Sequence, residues 1–228
     1  MVRLYTWFAF MGLMVVSASV LMGFRHEPGA PAGNYVFNGV LYAAYMMIHV
    51  VMMSPWYKRL TTGAPEGNPK ERRIYTVVAV LTWLFVYGIH RPLPGPALEL
   101  PDWITFLGLC GFLLGSFAFS EGGTFESFKG FFGVPGSEAS HSATAETPLQ
   151  IDGSYASVRH PMYRGFTCLA AASLLIHPNA AQLAWGVVLS LTFIVFIPIE
   201  ESQLLHARGE EYRAYMQQTP HRLFRGIW

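Results

Sequence analysis

Six apolar runs separated by polar connections organise this chain, over residues 4–23, 35–53, 74–89, 104–119, 163–176 and 183–199. A helix needs about 20 apolar residues to cross roughly 30 Å of hydrocarbon, so the first four runs and the last predict membrane spans. The fifth has 14 residues. At 1.5 Å per residue it rises only about 21 Å, so it either stops part-way or continues into the polar residues before it. His177-Pro178-Asn179 predicts a tight turn between the fifth and sixth runs, because proline cannot continue a helix and asparagine suits turn backbone. The pattern predicts an all-α, polytopic transmembrane helical bundle of five to six spans, ending in a helical hairpin and a cytoplasmic amphipathic tail. It forms a single integral membrane domain over 1–228, with four N-terminal spans in 1–120, a cytoplasmic loop in 121–162, the hairpin in 163–199 and the tail in 200–228.

Composition agrees: 52% of residues are hydrophobic and only 13% charged, against roughly 25% charged in soluble domains. The net charge of +1 points to no nucleic-acid partner. Its distribution is more telling. With the N-terminus inside, thirteen of the fifteen Lys and Arg fall on the cytoplasmic side and only Arg25 and Arg91 outside. That bias predicts cytoplasmic termini and, in a bacterium, the inner membrane. Ser17-Ala18-Ser19 resembles a cleavage site, but run 4–23 exceeds the usual length of a signal-peptide core, so a retained first span is expected. The two cysteines, Cys110 and Cys168, read as small packing residues. Neither they nor the scattered histidines have metal-ligand spacing. No internal repeat is evident, which argues against an inverted-repeat transporter. The stretch 133–147, rich in small polar residues, predicts a flexible loop, either lid or tether.

Two polar clusters flank the hairpin: Arg159-His160-Pro161-Met162-Tyr163-Arg164-Gly165 before it and Glu200-Glu201 after it, followed by Leu204, Gly209, Tyr212 and Tyr215. A hairpin brings its two ends together, so the clusters should be neighbours. Arg159, Arg164 and the tyrosines, taken singly, can be interfacial anchors. Two carboxylates abutting an apolar helix need cationic partners, from the protein or from a ligand.

The pattern RHPxYxG, then a short hairpin, then EExxLxxxxGxxYxxY, resembles the C-terminal signature of the isoprenylcysteine carboxyl methyltransferase and phospholipid methyltransferase superfamily. It covers the last third of the chain. More loosely, His49, Met52, Pro55, Tyr57 to Arg59, Glu71-Arg72, Tyr75 and Phe125-Glu126-Ser127-Phe128 resemble bacterial methanethiol S-methyltransferases and a related denitrification-associated membrane family. Thr124 stands where a histidine is expected, and loop 133–147 looks longer than usual. The resemblance implies S-adenosylmethionine as cofactor, cradled by the hairpin and its flanks.

The residues suit that cofactor chemically. Arg159 can pair with its carboxylate; Glu200 or Glu201 can take the ammonium or the ribose hydroxyls; Tyr163 or Tyr212 can face the sulfonium or the adenine. His160 contributes backbone or imidazole, and Gly165 permits close approach. If these are ligand contacts, Glu201→Gln should abolish cofactor binding with little loss of folded protein. If the acceptor is a thiol, a base helps form the thiolate, and His49 and Glu126 are the catalytic candidates. The acceptor is a small or lipophilic molecule reaching the site from the bilayer, best read as a small thiol such as methanethiol. Isoprenylcysteine carboxyl O-methylation and phospholipid N-methylation are alternatives, as is a non-catalytic membrane partner or assembly protein.

Overall fold

In a computed structural model, described for residues 2–63, 69–120 and 149–228, every regular element is helical apart from isolated bridges. The helices are α1 (Val2–Met22), α2 (Gly33–Met53), α3 (Pro55–Thr62), α4 (Pro69–Ile89), α5 (Asp102–Ser120), α6 (Pro161–Ile176), α7 (Ala180–Arg208) and α8 (Glu210–Gln218), with a 3-10 turn at Gly153–Ala156. Among the described residues α2, most of α4 and α7 are long and apolar enough to cross a membrane, while α5 and α6 contain shorter apolar stretches. Many large apolar side chains on α2, α4, α5 and α7 are exposed, as lipid-facing surfaces require. This is an integral membrane protein. Glu126 and the 133–147 loop lie outside the described residues.

The fifth run begins its helix inside the polar motif: Pro161 occupies the first turn of α6 after His160, where its fixed φ and missing N–H cost nothing. The sixth run extends further than its apolar pattern. Asn179 caps α7 by accepting from the Gln182 amide at 3.1 Å, and the helix runs 29 residues, through Pro198, to Arg208. At about 43 Å it outreaches the hydrocarbon, so its polar end, with Glu200 and Glu201, projects beyond the apolar run. Gly209, with φ +53°, ends α7 and turns the chain into α8. The stretch read in sequence as the tail over 200–228 therefore comprises the end of α7, the separate α8 and the residues after it.

α6 packs on α7 and, more extensively, on α5. Gly108, Gly111 and Gly115 of α5 face Cys168, Leu169, Ala172, Leu175 and Ile176 of α6. Small residues at such spacing let two membrane helices approach through van der Waals contact where no hydrophobic force separates them from lipid.

At the end away from the polar motif, Phe24 sits among Tyr42, Trp83, Tyr87, His90 and Trp185, with ring centroids 4.9–6.1 Å away. Asn38 donates to the Arg91 carbonyl at 2.8 Å and contacts His90 Nε2 at 3.1 Å.

Candidate functional site

The first residues of the motif are pinned by a distant segment. The Arg159 amide donates to the His221 carbonyl at 2.9 Å and the His160 amide to that of Arg222 at 3.0 Å. Their side chains turn toward α7. Arg159 Nε donates to Glu201 Oε1 at 2.7 Å and Nη1 to the Thr219 carbonyl at 2.8 Å. His160 Nε2 lies 3.2 Å from Glu201 Oε1 and its Nδ1 lies 3.5 Å from Glu200 Oε2. Arg222 closes the set, with Nε at 3.0 Å and Nη2 at 2.8 Å from Glu201 Oε2. One carboxylate thus holds three basic side chains, and Glu201 and Arg159 are only 4% and 5% exposed.

Glu200, one residue earlier, is 34% exposed and turns elsewhere. Its charge lies near the Tyr163 hydroxyl. The Tyr163 ring lies between His160, 5.6 Å away at 11°, and Phe193, 4.7 Å away at 22°. This aromatic stack leads from the polar cluster toward the apolar core formed by Phe193, Ile197 and Leu223.

Beside these residues opens a cleft of about 650 Å³ that merges with solvent, lined by Leu149, Tyr155, Arg159, His160, Tyr163, Glu200, Leu204, Arg208, Tyr212 and Tyr215, among others. Tyr155 is fixed by the Tyr215 hydroxyl, which donates to its carbonyl at 2.8 Å. Burial raises the hydroxyl pKa of Tyr155, Tyr212 and Tyr215, keeping them neutral. Of the sequence-derived cofactor candidates, Arg159, His160, Tyr163, Glu200 and Tyr212 come together on this cleft. Gly165, buried one turn into α6, and Glu201 do not line it.

His49 stands apart, on α2. Its Nδ1 lies 2.8 Å from the Tyr45 carbonyl, which can only accept, so the proton resides on Nδ1 and Nε2 keeps its lone pair. The ring contacts Tyr45 at 4.2 Å and Tyr75 at 5.6 Å. Neither His49 nor Tyr75 lines the cleft. Among the described residues no group of three His, Cys, Asp or Glu side chains is arranged to hold a metal.

Sequence reasoning missed Arg222, Thr219, Tyr155 and Arg208. The signal for Arg222 was indirect: a buried carboxylate needs cations, and Arg159 supplies only one.

No family model matches the chain. Three curated proteins do. Methanethiol S-methyltransferase 1 of Bradyrhizobium diazoefficiens is 29% identical over 81% of this chain and 65% of its own length. Methanethiol S-methyltransferase of Mycobacterium tuberculosis is 28% identical, covering 93% and 88%. Protein-S-isoprenylcysteine O-methyltransferase of Tribolium castaneum is 27% identical, covering 92% and 72%. The chain is related to the isoprenylcysteine-type membrane methyltransferases. It spans just under two thirds of the Bradyrhizobium methyltransferase. The names of these relatives differ in acceptor, two naming the sulfur of methanethiol and one an oxygen of protein S-isoprenylcysteine, so kinship alone leaves the acceptor to the chemistry of the site.

One electrostatic consequence is testable without any ligand. Burial opposes the charged form of His160, but the flanking Glu200 and Glu201 outweigh it and raise its pKa above 6.5. A pKa raised by folding stabilises the fold fully below the unfolded value, and this is lost as pH rises through the folded value. The melting temperature of the purified protein should therefore decline as pH climbs from 6.5 through the raised His160 pKa, and His160→Gln should flatten that decline. An unchanged slope in the variant would assign the decline to other groups.

Proposed function

We propose that this protein is an S-adenosylmethionine-dependent membrane methyltransferase whose acceptor is a small thiol such as methanethiol. The observation that carries the reading is the lining of the cleft, which unites a carboxylate, guanidinium groups and neutral aromatic faces, the mixture of convergent polar groups and aromatic walls that small-ligand sites use. This donor set fits the cofactor: its ammonium or ribose hydroxyls suit Glu200, its carboxylate an arginine, and its adenine or sulfonium the faces of Tyr163 and Tyr212. When bound, it supplies a methyl group on a positively charged sulfur.

The protein's part is alignment and exclusion of water. Tyr163, held between His160 and Phe193, gives the cleft a rigid aromatic wall. Glu201 fixes Arg159 and His160 behind that wall. In this reading His49 Nε2 takes up the thiol proton as the sulfur becomes the nucleophile. The charge bias in the loops supports cytoplasmic termini and a bacterial inner membrane, with acceptor entering from the bilayer.

The thiol is preferred to the isoprenylcysteine carboxylate because of the His49 tautomer. A carboxylate is already ionised at neutral pH and has no proton for such a base to remove. The test is calorimetric titration of detergent-purified protein with S-adenosylhomocysteine, followed by methylation assays with small thiols and farnesylcysteine. Saturable binding that Glu200→Gln weakens, together with thiol methylation, is expected. Binding with turnover of farnesylcysteine alone would move the acceptor to the carboxylate. No binding by folded protein would sink the cofactor reading.

A further inference from the structure

The short helix α3 joins α2 to α4 but is more than a link. Ser54 ends α2 in extended backbone and caps α3, Pro55 sets its first turn, and Gly63 stops it with φ +61°. The residues between are held as a helix in their own right, packed against both α2 and α4. Its two sides differ. Lys58 turns inward, with Nζ 3.5 Å from the carboxylate of Glu71 on α4 and only 14% of its side chain exposed. Trp56 is 66% exposed and Leu60 69%. At the i, i+4 spacing they share one face, and the exposed Arg59, at i+3 from Trp56, lies on it too.

An indole, a leucine and a guanidinium on one open face suit the boundary between acyl chains and headgroups, where the apolar groups enter the hydrocarbon edge and the cation stays among phosphates. Two observations name lipid as what covers this face. It continues the lipid-facing surface of α2, which is exposed at Met47, Ile48 and Val51 and ends at Met53, just before Trp56. Residues 54–73 also carry five basic side chains against two acidic ones, so the field around α3 attracts anions.

We infer that α3 is an interfacial anchor for anionic phospholipid, with Trp56 and Leu60 seated at the headgroup boundary and Arg59 paired with the lipid phosphate. The guanidinium fork matches two phosphate oxygens. In phosphatidylcholine the choline already neutralises that phosphate, whereas phosphatidylglycerol leaves its charge open. The grip steadies the ends of α2 and α4, both of which α3 touches. It goes beyond the proposed methyl transfer and needs no cofactor, so either can fail without the other.

The full chain is reconstituted in phosphatidylcholine discs in which an equal minor fraction of lipid carries brominated acyl chains, either as phosphatidylglycerol or as phosphatidylcholine. Bromine quenches tryptophan emission on contact. The share due to Trp56 is the difference between wild-type protein and Trp56→Phe. Quenching of that share should report phosphatidylglycerol enriched by roughly 5-fold over phosphatidylcholine, the factor for one basic residue at an anionic surface. Arg59→Gln should bring the two lipids close to equality, while Arg59→Lys, which keeps the charge, retains part of the preference. All of these side chains are exposed, so the variants should fold. Equal quenching by the two lipids in wild-type protein, or a preference left intact by Arg59→Gln, overturns the inference. A Trp56 share that neither lipid quenches overturns it as well, and would mean that water, a second copy of the chain or another protein covers the face.

Discussion

Replacing Glu201 with glutamine is expected to lower the melting temperature of the purified protein by on the order of 10 °C, with or without cofactor. The carboxylate accepts from Arg159 and Arg222 and pairs with His160, and both it and Arg159 are almost wholly buried. Removing one partner of a buried ion pair strands the others, at a cost of about 3–5 kcal/mol. For a chain of this length that corresponds to roughly 2–4 °C per kcal/mol. The isosteric amide retains shape and removes charge, so the loss reports electrostatics rather than a cavity. Glu200→Gln is the matched control. That side chain is about a third exposed, so the change should cost little stability while weakening cofactor binding. A Glu201→Gln protein melting within 2 °C of wild type would show that the three basic groups are stable without it.

The second large effect concerns the α5 and α6 interface. Gly108→Leu should prevent the helices from closing, because even a β-carbon there would lie 2.8 Å from Ile176 Cγ1, 3.0 Å from Leu175 Cβ and 3.1 Å from the Ala172 carbonyl oxygen. The last of these is backbone, which cannot rotate away. Overpacking of well-filled contacts costs about 1–3 kcal/mol even when neighbours adjust, and leucine adds three more carbons beyond that clash. A fall in folded yield and melting temperature is expected, and cofactor binding should fall with it because α6 begins at the motif. Gly111→Ala, where a β-carbon would meet Ala172 Cβ at an ordinary 3.5 Å, should stay close to wild type. Equal tolerance of both substitutions would mean that α5 does not set the position of α6.

These outcomes also measure how much was legible in the sequence. Long apolar runs announce membrane helices because lipid forces backbone groups to bond within the segment. The relationship to methyltransferases was readable from RHPxYxG and the Glu-Glu pattern, which are local. The short helix α3 was signalled and overlooked: Ser54 caps it, accepting from the Tyr57 amide, Pro55 occupies its first turn and Gly63 ends it with φ +61°. Other features were beyond one-dimensional reading. Order along the chain suggested that α6 pairs chiefly with α7, whereas glycine spacing on α5 makes α5 its closer neighbour. Nor does spacing reveal that Arg159 meets Thr219 across sixty positions, or that one of two adjacent glutamates faces the cleft while the other holds three basic groups together.

The length of α7 carries one more consequence. Its first turn is fastened to the far end of the bundle, where the Ala180 amide donates to the Pro96 carbonyl, while Glu200, Leu204 and Arg208 ride near its other end. As a lever of about 43 Å, it converts a 5° tilt into roughly 4 Å of travel at its tip. Helices tilt to match the thickness of the surrounding bilayer. The spacing between these α7 residues and the motif on α6 is thereby tied to lipid composition, and turnover in thin and thick bilayers should differ even at equal substrate concentration.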